Sequence, residues 1–194
     1  VKVLYLYCHP LPESFHAAIR VAALEGLAEG GHAVDLCDLY AEGFDPVMRP
    51  EERRRYHDTS KNQLGVEPYV TRLRAAEAIV LQFPTWCFGP PAMLKGFFDK
   101  VLLPGVSFDM SDPSHIRSLL ANLKLVTGIV TYGRGRLSAF TMGDAPRKLV
   151  MRYLPRCAVV KARAQFHGLY GMNRTDEATR KAFIAKMRKA MAQL

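Results

Sequence analysis

The stretch Ala78-Ile79-Val80-Leu81-Gln82-Phe83-Pro84-Thr85-Trp86-Cys87-Phe88-Gly89-Pro90-Pro91-Ala92-Met93-Leu94-Lys95-Gly96-Phe97-Phe98-Asp99-Lys100-Val101 decides the fold. Residues 78–83 are a short, almost wholly apolar run, as expected of a strand buried on both faces, and Pro84 stops it. Pro90-Pro91 then opens a helix with proline near its first position. Its apolar stripe is Met93, Leu94, Phe97, Phe98, Val101 and Leu102. A doubly buried strand feeding an amphipathic helix is half of a parallel crossover unit, so a parallel sheet is expected.

The same alternation extends in both directions. Residues 2–8 read as a first strand ending before Pro10, Ser14 as the N-cap of a helix from Phe15 to Ala28, and Gly30-Gly31 as its end. Val34–Cys37 is a second strand. Asp38 to Arg55, with Gly43, Pro46 and Pro50, reads as a long excursion in which Glu51–Arg55 is a solvated helical turn. A helix over 69–76 precedes the quoted strand. Leu123–Thr131 is the fourth strand, Cys157–Phe166 the fifth, with an irregular segment or helix between them. A last helix from about Thr175 carries the stripe Phe183, Met187, Met191 and Leu194. The expectation is α/β: a flavodoxin-like three-layer sandwich whose five-stranded parallel sheet runs in the order 2-1-3-4-5, as one domain over residues 1–194.

Composition agrees with a globular chain: 194 residues, 49% hydrophobic and 23% charged. The net charge of +9 is uneven. Residues 1–110 carry 11 Lys and Arg against 14 Asp and Glu, and residues 111–194 carry 16 against 4. No nucleic-acid module accompanies that charge. The apolar opening Val1–Cys8 ends at His9-Pro10 without the pattern of a secretory signal, and no run approaches membrane-spanning length. Cys8, Cys37, Cys87 and Cys157 form no CxxC pair and no zinc spacing. They read as small buried thiols, three of them in strands or at strand ends, in a reduced, cytoplasmic protein with no metal.

In an open parallel sheet of this order, ligands bind at the carboxyl ends of the strands, near the switch in strand order. Three loops meet there. The first, His9 to His16, leads into a helix N-terminus suited to phosphate, with Ser14 adding a hydroxyl and His9 or His16 a ring N–H. The second, Pro84 to Pro90, holds the only tryptophan. Trp86 and Phe88 either stack on a flat ring or pack inward. The third, Thr131-Tyr132-Gly133-Arg134-Gly135-Arg136, is not a GxGxxG and makes no dinucleotide fingerprint.

Phe83 to Val101 resembles the characteristic segment of the NAD(P)H:quinone oxidoreductases, the DT-diaphorase-like flavoproteins. His9 with Ser14-Phe15, Asp38-Leu39-Tyr40 with Phe44-Asp45-Pro46, and Thr131 with Gly133 also resemble family segments, so the likeness spans roughly residues 1–170. The resemblance implies a homodimer that moves hydride from NAD(P)H through flavin N5 to a quinone in a ping-pong cycle. It also implies FAD, with FMN as the alternative cofactor. His9, Ser14, Phe15 and His16 would hold the phosphate side, and Pro84, Thr85, Trp86, Cys87 and Phe88 would line the ring. Thr131, Tyr132, Gly133 and Arg134 would approach its pyrimidine edge. The family's Tyr and His beyond the glycine loop are missing between Arg134 and Asp144. Trp86, Tyr132, Arg134 and Arg136 are the candidates for catalytic roles near the ring. Some relatives are ancillary subunits of potassium-efflux systems, which is the alternative reading.

Overall fold

The computed structural model describes residues 1–112 and 114–194. In chain order the elements are β1 (Lys2–Tyr7), α1 (Phe15–Glu29), β2 (Ala33–Asp38), α2 (Pro50–Arg54), α3 (Glu67–Ala75), β3 (Ala78–Pro84) and α4 (Ala92–Val101). A two-stranded antiparallel ladder follows, β4 (Phe108–Asp109) with β5 (Arg117–Ser118). Then come β6 (Leu125–Thr131), α5 (Arg136–Thr141), α6 (Ala145–Lys148), a π-helical turn at Leu149–Tyr153, a 3-10 turn at Leu154–Cys157, β7 (Arg163–Leu169), a second 3-10 turn at Met172–Arg174 and α7 (Glu177–Ala192). The five long strands form one sheet in the order β2-β1-β3-β6-β7, all parallel. This is the expected 2-1-3-4-5 arrangement.

Each face of the sheet has its own apolar core. On one side Leu4, Leu6, Ile79, Leu81, Phe83, Val126 and Val130 meet α3, α4 and the π-helical turn. On the other, Val3, Tyr5, Val80 and Ile129 meet Ile19, Ala23 and Leu27 of α1 and Phe183, Met187 and Met191 of α7. β3 and β6 are buried at every residue, which is why both read as continuous apolar runs. α1 and α7 pack backbone against backbone at Gly26, where a Cβ would stand 2.1 Å from the Arg188 carbonyl oxygen.

Two residues of the α4 motif are explained by the excursion after β2. A Cβ at Gly96 would sit 2.3 Å from the Pro46 carbonyl oxygen, so only glycine lets that backbone approach. Lys100 is buried. It reaches Glu52 at 3.0 Å and the carbonyls of Asp45 and Val47 at 3.0 and 3.3 Å. The motif glycine and lysine thus seat residues 45–52 on α4. The Glu51–Arg55 segment is helical through Arg54, and none of α2 is buried, as expected.

The fifth strand departs from expectation. It spans Arg163–Leu169, not Cys157–Phe166. Cys157 ends a 3-10 turn containing Pro155, and Val159 and Val160 are 57% and 81% exposed. The apolar run Cys157–Val160 resembles a strand, but the true strand lies at the sheet edge and carries Arg163, Gln165 and His167. The thiol reading also needs correction. Cys8, Cys37 and Cys157 are buried, but Cys87 is exposed, and Cys157 is in no strand. The β4–β5 ladder has no counterpart in the sequence reading. The intermediate segment after β6 is a series of short helical pieces.

Candidate functional site

The carboxyl ends of β1, β3 and β6 bring the three loops together. Ser14 caps α1: its Oγ accepts from the Ala17 N–H at 3.1 Å. That leaves the N–H groups of Phe15 and His16 in the first turn without helical partners. Beneath them the Tyr7 hydroxyl is buried and has no hydrogen-bond partner among the described residues. Burial raises its pKa, and the Ser14 hydroxyl beside it lowers it in part. His9 lies between the first and second loops, with its ring 5.3 Å from His16 and 6.5 Å from Trp86. Its Nδ1 accepts from the Leu11 N–H at 3.1 Å.

His16 turns inward. Its Nε2 lies 2.8 Å from the Thr131 hydroxyl and its Nδ1 3.2 Å from Gln82 Nε2. Gln82 also donates to the His16 carbonyl at 2.6 Å, and its Oε1 accepts from the Tyr5 hydroxyl. With Gln82 donating to Nδ1, the ring proton is assigned to Nε2 and donated to Thr131. Burial, reinforced by the neighbouring His9, lowers the His16 pKa to about 3. Both ring nitrogens are engaged inside the protein, so His16 offers a ligand its backbone N–H and not its ring. The expected ring donor there is therefore confined to His9.

The second loop is held to the third by Thr85, whose N–H and hydroxyl both donate to the Thr131 carbonyl at 2.8 Å. Trp86 and Gly89 then exchange N–H···O bonds at 3.0 and 2.9 Å. Between them Cys87 and Phe88 have φ of 48° and 59°. A two-residue turn with both central residues at positive φ is the type I′ geometry that Asn-Gly favours, so two ordinary side chains here mean a strained turn. The turn leaves the Cys87 and Phe88 N–H groups without protein acceptors among the described residues. Trp86 does not pack inward: it is 43% exposed.

Thr85, Cys87, Phe88, Tyr132, Gly133 and Arg134 line a cavity of about 130 Å³. The Tyr132 ring is buried and stacks on Tyr170 at 4.3 Å between centroids. Its hydroxyl donates to Asp144 at 2.7 Å. Burial, and then this hydrogen bond, raise the Tyr132 pKa. Asp144 itself sits at φ 43° and caps α6.

The site therefore unites His9, Ser14, the Phe15 and His16 amides, Thr85, Trp86, Cys87, Phe88, Thr131, Tyr132, Gly133 and Arg134. Pro84 ends β3 buried beneath them. Arg136 stands apart in a neighbouring cavity beside Asp144. Sequence reasoning missed Gln82, Asp144 and Tyr170. A glutamine inside an otherwise apolar strand, and the Asp144-Ala145-Pro146 cap signature, were the available signals.

An open doubly wound sheet with a polar cleft at this switch point, entered by a helix N-terminus and an amide-bearing turn, defines a flavodoxin-type α/β protein. The chain belongs to the flavodoxin-like fold family, whose family model matches residues 1–194. Among curated relatives, the ribosyldihydronicotinamide dehydrogenase [quinone] of Rattus norvegicus is 30% identical over 146 residues, 66% of this chain and 63% of that protein. The chain thus spans less than two thirds of that relative's length. Among solved structures, Smu.1420 of Streptococcus mutans is 26% identical, with TM-score 0.88 and all of both chains covered. The NAD(P)H:quinone oxidoreductase of Methanothermobacter marburgensis is 26% identical, with TM-score 0.85, covering 98% of this chain and 97% of that one.

Proposed function

We propose that the chain is a flavin-dependent NAD(P)H:quinone oxidoreductase that works as a homodimer by a ping-pong cycle. The observation that carries this reading is the strained Trp86–Gly89 turn, which leaves the Cys87 and Phe88 amides without acceptors among the described residues, at two residues that line the cleft. The names of the rat relative and of the Methanothermobacter enzyme support the same chemistry.

The residues present fit a flavin. The orphaned Tyr7 hydroxyl, Ser14 and the free amides of Phe15 and His16 suit its phosphate side. The Cys87 and Phe88 amides suit polar ring edges, and the exposed Trp86 indole supplies a stacking surface. A bound flavin, FAD or FMN, supplies two-electron chemistry, taking hydride from NAD(P)H and giving it to a quinone. The chain's own part is to position and to balance charge. The Cys87 and Phe88 amides and the Arg134 charge at the cleft would offset negative charge on a reduced flavin, and no side-chain acid or base would be required. Thr131, Tyr132 and Gly133 fix the far wall.

The test is purification followed by an absorbance spectrum, mass identification of the released cofactor, and NAD(P)H oxidation with an added quinone. A yellow protein with quinone-dependent turnover is expected. A colourless protein that neither FMN nor FAD reconstitutes overturns the reading.

A further inference from the structure

Behind Tyr132 lies a second cavity of about 260 Å³, outside the residues that fit the flavin. Its walls include Arg136, Arg147, Lys148, Arg152, Asp144 and Tyr170. Elsewhere in the fold the well-placed cations are paired: Arg72 with Asp35 and Glu42, Lys100 with Glu52, Arg188 with Glu25 and Glu29. The four cations here have no salt bridge among the described residues. The one lining carboxylate, Asp144, is held by the hydroxyls of Tyr132 at 2.7 Å and Tyr170 at 3.4 Å and by the Arg147 N–H at 3.4 Å. An acid fixed in this way orients the walls and leaves the cavity with excess positive charge. Such a concave, cation-rich site is complementary to a multiply charged oxyanion.

The position of the cavity identifies the ligand. Tyr132 lines the candidate flavin cleft with one part of its surface and meets the second cavity through Asp144 with its hydroxyl. A molecule whose reactive ring lies in the cleft can therefore extend phosphoryl groups into the second cavity. Phe140, 76% exposed on the rim, offers an aromatic face to a base. We infer that this cavity is the subsite for the phosphoryl groups of the nicotinamide dinucleotide, and that it makes phosphate-bearing donors preferred over N-ribosyldihydronicotinamide, which has none. This assignment rests on the oxidoreductase reading.

The double variant Lys148→Gln with Arg152→Gln removes two charges outside the proposed flavin contacts and tests the inference. In the flavin-loaded protein its KM for NADPH should rise about tenfold, while KM for N-ribosyldihydronicotinamide stays within about twofold, as expected for lost charge-assisted hydrogen bonds. Raising salt from about 0.05 to 0.3 M should weaken the wild-type protein toward NADPH only. Flavin absorbance and melting temperature control for folding. An unchanged NADPH KM, or equal loss with both donors, overturns the inference and leaves the oxidoreductase reading standing. Calorimetry with 2′-phospho-ADP-ribose separates the two ideas in the other direction. If the protein binds no flavin but binds this probe, and the double variant does not, the phosphate site stands and the oxidoreductase reading falls. Absence of probe binding overturns the site. Sedimentation with phosphatidylglycerol vesicles that is lost in the variant while NADPH kinetics do not change would assign the cavity to lipid headgroups and overturn the donor assignment.

Discussion

Between Pro84 and Pro91 the chain crosses the cleft in one tight turn closed by reciprocal Trp86–Gly89 hydrogen bonds. Between Thr131 and Cys157 it reaches the opposite side of that cleft through α5, α6, a π-helical turn and a 3-10 turn. The first segment works through its backbone: two strained residues, two free amides and a Thr85 clasp to Thr131. The second works through side chains: the Tyr132–Asp144–Tyr170 cluster and the four cations around it. A backbone-built loop tolerates different side chains and so suits a feature common to many proteins. A side-chain-built segment can change its specificity one residue at a time.

Both segments rest on the buried network of Tyr5, Gln82, His16 and Thr131, so the largest effect should come from breaking it. Gln82→Leu leaves the Tyr5 hydroxyl and one nitrogen of His16 without partners, and should cost about 2–4 kcal/mol in urea unfolding. A cost below about 1 kcal/mol would mean that the two segments do not share this support. Acid acts on the same network. The His16 pKa is lower in the folded protein than in the unfolded chain, so the unfolded chain takes up a proton first as pH falls below about 6.5. Stability from this group is full above that pH and falls by up to ~1.4 kcal/mol per unit on the way toward pH 3. Unfolding midpoints at pH 6.5 and 4.5 should therefore diverge more in the wild type than in His16→Asn, and equal slopes would remove His16 from the account.

On the backbone-built side, Trp86→Ala should weaken flavin retention about tenfold by removing a stacking surface, measured by fluorescence titration of the reconstituted protein. Unchanged affinity would make the indole incidental. The smallest effect is also the sharpest for the contrast. Cys87→Asn with Phe88→Gly should raise stability by about 1 kcal/mol, or roughly 2–4 °C in melting temperature, by relieving positive φ. The same pair should keep flavin binding, because it keeps the amides. Loss of binding would show that the Phe88 ring matters as much as the backbone beneath it.

The legibility of the two segments in sequence follows the same division. Strand order, the three converging loops and the apolar stripe of α4 could all be read from periodicity and from proline and glycine placement, because they are local. The paired positive φ at Cys87-Phe88 left no glycine or asparagine to mark it. The Asp144–Tyr132–Tyr170 cluster joins residues far apart in sequence, and Gln82 looked like one polar residue in a strand. The fifth strand was misplaced for a physical reason: an edge strand tolerates Arg163, Gln165 and His167, whereas the apolar Cys157–Val160 run lies in an irregular, partly exposed connection.

The contact of Gly26 with the Arg188 backbone has a consequence for the order in which the molecule assembles. α1 follows the first strand, yet one side of it is covered by α7, the last helix described. During synthesis the chain emerges in order, and α1 must wait with Ile19, Ala23 and Leu27 incompletely covered until residues 177–192 have left the ribosome. The helix whose first turn shapes the phosphate side of the cleft is thus seated by residues made long after its own, and the nascent chain gains a fully supported cleft only once α7 has emerged.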